Sequence, residues 1–129
     1  MRTRIIEGGP AGAGELHIGV AAAEWNHNIT SKLVDGALVR LESLGVGEVT
    51  VLWVPGSLEL PVAAQRLAKK GCDAVIAIGV VIEGDTDHYQ IVAFGASEGI
   101  QRVALDEGIP VGNAILAVHD VQDAVERAG

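Results

Sequence analysis

The sequence is poor in aromatic residues, in cysteine and in positive charge. Two tryptophans, one tyrosine and one phenylalanine occur among 129 residues. Cys72 is the only cysteine, so an intrachain disulfide is excluded and we expect a buried, unreactive thiol. Nine lysines and arginines stand against 17 acidic residues, which argues against the basic surface of a nucleic-acid-binding protein. No apolar run approaches about 18 residues, so we predict no membrane span.

Generic motifs for nucleotide, acyl-transfer and metal chemistry are also missing. There is no Walker-A lysine, and Gly8-Gly9-Pro10 does not follow a predicted strand. Ser57 lacks the flanking glycines and the placed base of a nucleophile elbow. No two histidines have metal-ligand spacing, so we predict no metal site, and His17 has no evident partner within its predicted strand. The other histidines are His27, His88 and His119.

What the chain has in abundance is small apolar residues and acidic charge. Hydrophobic residues make up 49% of the sequence, and the net charge is -8. The length suits one domain spanning residues 1–129, and this composition suggests a subunit that buries apolar surface against copies of itself. The apolar stretch after Met1-Arg2-Thr3-Arg4 is too short for a secretory signal, so we interpret the protein as cytoplasmic.

Short apolar runs alternate with helical patterns along the chain. The predicted strands are residues 16–23, Glu48–Val54, Ala74–Ile82 and Val111–Val118. The predicted helices are residues 29–44 closed by Gly45, residues 58–70, residues 88–107 stopped by Gly108, and residues 121–127 capped by Asp120. This alternation predicts an α/β fold, a three-layer αβα sandwich of flavodoxin-like type with a four-stranded parallel sheet. All four strands are expected to be buried on both sides.

Unusual polar residues follow the first three predicted strands. They are Trp25-Asn26-His27, Pro55-Gly56-Ser57-Leu58-Glu59 and the segment 83–88. Right-handed crossovers place these loops at one edge of the sheet, where open α/β folds bind ligands. Trp25 beside Asn26 can stack on a flat heterocycle and hydrogen-bond its rim, or it can be a packing residue. Glu59 either contacts a ligand or only complements the dipole of its helix.

His88 ends a glycine-bearing turn and begins the third predicted helix. The turn amides and the helix start can cradle an anion such as phosphate, and an imidazole there can pass protons. A histidine at a helix start is also a common surface residue. Arg127 either binds an anion or compensates the dipole of the last helix, and a role in the site requires a neighbouring subunit.

In their order, these segments resemble the motifs of the lumazine synthase family over nearly the whole chain. The matching segments are Trp25-Asn26, residues 54–61 (VPGSLELP), residues 81–89 (VIEGDTDHY), residues 110–116 (PVGNAIL) and, with a shift at Gln122, the region of Ala124 and Arg127. The resemblance implies a transferase of riboflavin biosynthesis. It would join 5-amino-6-ribitylaminouracil to 3,4-dihydroxy-2-butanone 4-phosphate, giving 6,7-dimethyl-8-ribityllumazine, phosphate and water without a metal or organic cofactor.

The resemblance also implies roles for individual residues. The pyrimidine and ribityl chain would contact Trp25, Asn26, Ser57, Leu58, Glu59, Val81, Ile82 and Asn113. The phosphate would contact Gly84, Asp85, Thr86 and Arg127. His88 would shuttle protons during Schiff-base formation and phosphate elimination. Asn113 and Arg127 would come from the adjacent subunit of a homo-oligomer, a pentamer or a multiple of five up to a sixty-subunit shell, with riboflavin synthase as a candidate partner.

Two features depart from the family pattern. Glu83 stands where the family usually has arginine, which places negative charge beside the expected phosphate. Family members usually continue beyond Gly129 with a lysine-containing loop and a long helix, so we expect a shortened C-terminal helix. An alternative hypothesis is a catalytically weak relative that binds flavin or lumazine or forms a shell. A regulatory domain that shares only the architecture does not account for the VPG loop together with the turn before His88.

Overall fold

The computed structural model describes residues 1–85 and 88–128. Within these ranges the strands are β1 (His17–Ala23), β2 (Glu48–Val54), β3 (Ala74–Ile82) and β4 (Val111–Val118). The helices are α1 (His27–Ser43), α2 (Leu60–Lys69), α3 (Tyr89–Glu107) and α4 (Val121–Ala128), with short 3-10 helices at Ala13–Glu15, Ser57–Glu59 and Glu83–Asp85. The strands are parallel in the order β2-β1-β3-β4, which confirms the predicted α/β sheet. None of these helices is long and apolar enough to cross a membrane.

Alternate side chains of the sheet pack against two different helical layers. On one face, α2 and α3 cover small residues of the central strands, among them Ala21 and Ala77. On the other face, α1 covers Val20 and Ile78, and α4 packs near the end of the sheet through Ala124. The alternation of side chains along each strand therefore produces the three-layer sandwich expected from the sequence.

The expectation that all four strands are buried on both sides is wrong for β2 and β4. The central strands β1 and β3 are buried along most of their length, whereas all residues of β2 and all of β4 except Val118 are partly or fully exposed. These two strands form the edges of the sheet, where each has a strand neighbour on one side only. An apolar run does not distinguish a central strand from an edge strand, because both favour the same residue types.

The helix termini follow the predicted signals closely. Gly45 and Gly108 have left-handed backbone, with φ of 80° and 69°, and they follow the ends of α1 and α3. At the start of α4, the Asp123 amide donates to Asp120 Oδ1 at 3.0 Å, which confirms the predicted cap.

Three predicted starts lie too early, and the third helix is one of them, since α3 begins at Tyr89 and not at residue 88. The predicted first helix starts too late, because α1 already begins at His27. The Leu16 amide donates to Ala13 O within a short 3-10 helix, so β1 begins one residue later, at His17. The predicted second helix opens as the 3-10 helix Ser57–Glu59, and α2 itself begins at Leu60. Boundaries of this kind depend on single hydrogen bonds, which periodicity does not report.

His17 has partners that the sequence did not reveal. It is the first residue of β1 and lies opposite Glu48 in the β1–β2 register. Its Nε2 lies 2.7 Å from Thr50 Oγ1 and 3.1 Å from Glu48 Oε2. Its amide donates to Asp73 Oδ2 at 2.9 Å. Because β2 and the residue before β3 both reach this end of the sheet, His17 joins three segments that are distant in sequence.

Cys72 is buried, as the sequence predicted. It is 4% exposed and belongs to the core between the sheet and α2. Burial raises the pKa of its thiol above the ordinary value, and the nearby charges of Asp73 and Glu48 raise it further. The side chain therefore stays a neutral thiol near neutral pH.

Candidate active site

A cavity of about 430 Å³ lies beyond the carboxyl ends of β1 and β3. At this point of the sheet, chain connections leave in opposite directions, from β1 toward β2 and from β3 toward β4, and ligands bind at such points in open α/β folds. The lining comes from the loops after β1 and β2, the end of β3 and one turn of α3. The lining residues are Trp25, Asn26, Gly56, Ser57, Leu58, Glu59, Val80, Val81, Ile82 and Val92.

The loop after β1 places an exposed indole at the mouth of this cavity. Backbone bonds continue the β1–β2 connection past the strand ends, because the Glu24 amide donates to Val54 O at 2.7 Å and the Trp25 amide to Pro55 O at 3.0 Å. The Trp25 side chain is nevertheless 77% exposed. An exposed ring on an anchored backbone suits stacking against a flat ligand better than core packing.

Asn26 turns the chain from this loop into α1. It is the one non-glycine residue with positive φ (61°) in the part of the chain that the structure describes. Its carbonyl accepts the first bonds of α1 from the Ile29 and Thr30 amides, and its side chain makes no capping bond. Asparagine tolerates left-handed backbone better than most residues, and its amide group remains available to the cavity.

The indole and a carboxylate approach the main chain at Gly56. A Cβ at Gly56 would lie 3.5 Å from Trp25 Cε3 and 3.6 Å from Glu59 Oε1. The indole edge and the Glu59 carboxylate therefore flank the main chain of the loop after β2. This places an aromatic surface and a hydrogen-bond acceptor side by side on the cavity wall.

Ser57 contributes a buried hydroxyl. The residue is 5% exposed, and its Oγ has no hydrogen-bond partner among the described residues. It fits because β3 has glycine opposite, since a Cβ at Gly79 would lie 2.6 Å from Ser57 Oγ. A buried hydroxyl without a partner is unfavourable by roughly 1–3 kcal/mol, and a ligand group in the cavity would relieve that penalty.

The end of β3 forms the floor of the cavity, and some of its polar backbone groups face the cavity. The β1–β3 pairing ends at Ala22 opposite Ile78, whereas β3 continues to pair with β4 as far as Ile82. Residues 79–82 therefore extend beyond β1, and their backbone groups on that side lie outside the ladder. Val81 and Ile82 are buried there, so a ligand lying on the floor meets apolar side chains and amide groups together.

His88 lies at the start of α3, one helical turn before a residue that lines the cavity. Its carbonyl accepts the first bond of the helix from the Val92 amide at 2.9 Å, and Val92 lines the cavity. One turn separates the two residues, a rise of about 6 Å. Val92 and Val80 line the cavity but were not among the predicted site residues. Val92 could have been predicted from the sequence, because it lies four residues beyond His88 and therefore on the same helix face.

Two of the expected site residues lie away from the cavity. Asn113 pairs with Ala77 in the β3–β4 register, four residues before Val81, which is about 13 Å along the strand. Its amide nitrogen donates to Ser97 Oγ at 3.2 Å. Arg127 is exposed on α4, in the helical layer opposite α2 and α3, and it does not line the cavity.

The expected phosphate segment is described only in part. Gly84 and the backbone of Asp85 belong to the 3-10 helix Glu83–Asp85 that follows β3 directly. Thr86 lies outside the described residues. No lysine or arginine lines the described cavity, so positive charge for an anion would have to come from elsewhere.

A contact that the sequence analysis missed joins the ends of β3 and β4. His119 Nδ1 lies 2.5 Å from Glu83 Oε2. Ile82 and Val118 are register partners, so the residues that follow them leave the sheet side by side. In the sequence, Glu83 stands out as a departure from the family pattern, and His119 only as the residue before Asp120. Their contact follows from the β3–β4 register, which the sequence does not give.

Comparisons with known proteins agree with this geometry. Residues 15–129 match the family model described as 6,7-dimethyl-8-ribityllumazine synthase. A relative of that name from Streptomyces avermitilis is 47% identical over 116 residues, which covers 90% of this chain and 72% of the relative. One from Saccharopolyspora erythraea is 48% identical over 117 residues, covering 91% and 70%. One from Pyrococcus furiosus is 42% identical over 129 residues, covering 100% and 82%.

Proposed function

The chain belongs to the 6,7-dimethyl-8-ribityllumazine synthase family, and we propose that it condenses 5-amino-6-ribitylaminouracil with 3,4-dihydroxy-2-butanone 4-phosphate. The observation that carries this proposal is the cavity at the ends of β1 and β3. It gathers all but one of the residues that the family resemblance assigns to the pyrimidine and ribityl chain, the exception being Asn113.

The walls of the cavity suit a flat, polar-edged heterocycle. We propose that the pyrimidine stacks on the Trp25 indole, above the apolar floor formed by Val81 and Ile82. The backbone groups of residues 79–82 that extend beyond β1 would meet the polar edge of the ring. The Ser57 hydroxyl would gain its missing partner there, and the Glu59 carboxylate would accept bonds from ribityl hydroxyls.

We assign proton transfer to His88. Schiff-base formation and phosphate elimination both need a proton moved at the reacting atoms, which a positioned imidazole accelerates by about 10²–10⁴-fold. Its place at the start of α3, one turn from the cavity residue Val92, supports this role. Gly84, Asp85 and Thr86 would present backbone groups to the phosphate at the same end of the cavity.

The test is a turnover assay with both substrates, followed through the absorbance of the lumazine product. His88→Ala is expected to lower kcat by about 10²-fold or more while its thermal unfolding matches the unmodified protein. Glu98→Gln serves as a control, because Glu98 is an exposed residue of α3 that does not line the cavity. A folded, assembled protein without turnover would refute the catalytic proposal.

The alternative of a weak, scaffold-like relative is not favoured. Part of its motivation was an uncompensated carboxylate at Glu83, and in the structure that carboxylate contacts His119. The relatives compared above carry the name of the synthase, which supports the enzymatic reading.

We propose that the complete site forms between subunits of a pentamer or a multiple of five. Support comes from Asn113, which lies about 13 Å along the strand from Val81, and from Arg127, which does not line the cavity of its own chain. It also comes from exposed apolar residues on the side of α2 and α3. These are Leu58, Val62, Ile91, Phe94 and Leu105. We further propose a cytoplasmic location and transfer of the product to riboflavin synthase, on the family resemblance alone.

A mixing experiment tests the shared site. His88→Ala and Arg127→Ala subunits, each expected to have strongly reduced activity alone at low substrate concentration, are unfolded together, refolded together and assayed. If His88 and Arg127 of one site come from different subunits, random mixing of equal amounts gives about a quarter of the interfaces both unmodified side chains. Activity is then expected to return to about a quarter of that of the unmodified protein. Each variant refolded alone is the control. Failure of the mixture to regain activity would refute a site shared in this way.

A further inference from the structure

The contact between Glu83 and His119 lies at the end of the cavity where the phosphate is expected. Glu83 follows Ile82, a lining residue, directly in the chain, and Gly84 comes next. Glu83 Oε2 and His119 Nδ1 are 2.5 Å apart, and their side chains are 53% and 82% exposed. The pair therefore joins the residues that directly follow β3 and β4, at the protein surface.

The chemistry of the two groups gives the direction of this hydrogen bond. An ionised carboxylate can only accept, so Nδ1 of His119 carries the hydrogen and donates it. The ring of Tyr89, at the start of α3, has its centroid 6.4 Å from that of His119. The neighbouring carboxylate of Asp120 accepts from the Asp123 amide and so is engaged with α4. Glu83 is thus the acceptor that the structure gives to the His119 ring.

The electrostatic setting makes this contact significant. Residues 83–88 contain three acidic residues and no lysine or arginine, yet this segment is expected to receive a phosphate. An uncompensated carboxylate roughly 6–8 Å from a phosphate in a wet cleft weakens its binding by about 2–5-fold. The His119 N–H held against the Glu83 carboxylate reduces its repulsion of the phosphate. The contact also keeps the charged group near the end of β4.

We propose that His119 is a positioning residue for the phosphate-bearing substrate. It holds the Glu83 carboxylate against the end of β4 and partly compensates its charge, so that the segment after Ile82 can accept a phosphate group. The pair takes the place of the arginine that the family usually has at position 83. This inference rests on the proposed function, since it concerns the phosphate of the same site.

The test compares Michaelis constants in a double-mutant cycle. His119→Ala releases the Glu83 carboxylate and is expected to raise KM for the phosphate-bearing substrate about 2–5-fold at low ionic strength, with kcat and the other KM unchanged. Adding Glu83→Gln to this variant is expected to restore the original KM. Raising the salt concentration is expected to shrink the effect of His119→Ala, because the charge involved is exposed.

Glu98→Gln is the matched control, since it removes an exposed carboxylate on α3 ten residues from His88, about 15 Å along the helix. It is expected to leave both Michaelis constants unchanged. Equal effects of His119→Ala with and without Glu83→Gln would overturn the proposal. So would a parallel rise in both Michaelis constants, because that result indicates a general loosening of the site.

Direct binding of inorganic phosphate separates this inference from the proposed function. Phosphate titrations monitored by phosphorus NMR are expected to give weaker binding for His119→Ala and restored binding for the double variant. If this order appears while no variant turns over, the proposed function fails and the role of His119 stands. If all variants turn over and bind phosphate equally, the role of His119 fails and the proposed function stands.

Discussion

The contact between Gly79 and Ser57 predicts a substitution whose damage a second substitution repairs. Gly79→Ala introduces a methyl group 2.6 Å from Ser57 Oγ, well inside an ordinary contact distance. The same methyl would lie 3.2 Å from Leu60 Cδ1, at the end of a side chain that can move by a few tenths of an ångström. The clash with the hydroxyl therefore dominates, and it presses on the loop that carries Glu59.

The magnitude follows from the packing around β3. Inserting a methyl group into a close-packed interior typically destabilises a protein by about 1–3 kcal/mol, and we expect Gly79→Ala to fall in that range. In the Ser57→Ala background the nearest atom of residue 57 is Cβ, 3.6 Å away, which is an ordinary contact. Ser57→Ala alone is expected to be neutral or to stabilise by up to about 1 kcal/mol, because it removes a buried hydroxyl without a partner.

The assay is urea unfolding followed by tryptophan fluorescence at one fixed protein concentration, since assembly would make apparent stability depend on concentration. We expect the two substitutions to couple by about 1–3 kcal/mol, with the double variant close to the unmodified protein. If Gly79→Ala is equally destabilising in both backgrounds, the hydroxyl is not what occupies the space opposite Gly79, and the reasoning fails.

Three further predictions concern backbone, packing and the thiol. Asn26→Val is expected to unfold at lower urea than Asn26→Gly by about 1–2 kcal/mol, because left-handed backbone disfavours a branched side chain, and equal stability would contradict this. Gly99→Ala places a Cβ against Pro61 Cγ, well inside an ordinary contact distance, and is expected to destabilise by about 1–3 kcal/mol. Gly36→Ala, whose Cβ would have no atom within 4 Å, is expected to stabilise by up to about 1 kcal/mol, and the reverse order of the two variants would contradict this. Because burial raises the pKa of Cys72, we expect thiol reagents to modify it only after unfolding. We also expect the free energy of unfolding to fall as pH rises above the ordinary thiol value of 9.0, and the contribution of Cys72 to that slope to disappear in Cys72→Ala.

Much of the fold was predictable from local patterns. Apolar runs and helical spacing located the elements, and glycines such as Gly45 and Gly108 marked where helices end, because left-handed backbone has a strong residue preference. The edge positions of β2 and β4 were not predictable, since strand order depends on long-range pairing. For the same reason the partners of His17, at Glu48 and Thr50, appeared only once the register was known.

The candidate site was predictable where loops follow strands, and less so where it depends on contacts across the fold. Trp25, Ser57 and Glu59 belong to loops that topology places at one edge of the sheet, and all three line the cavity. The space that Gly79 leaves for a hydroxyl was hidden, because a glycine within an apolar strand resembles any other small residue. The partner of Glu83 was hidden too, since His119 lies 36 residues away in sequence.

The position of the cavity floor on a central strand has a consequence for how the pocket receives molecules of different size. Residues 75–78 of β3, which lead directly into the floor, pair with β1 and β4 and pack against helices on both faces, so we expect their amides to exchange with deuterated solvent only when the whole chain opens. The indole at the mouth has no such restraint on its side chain. An analogue with a bulkier ring would therefore be accommodated by displacement of Trp25, whereas a group that projects toward Val81 would be rejected.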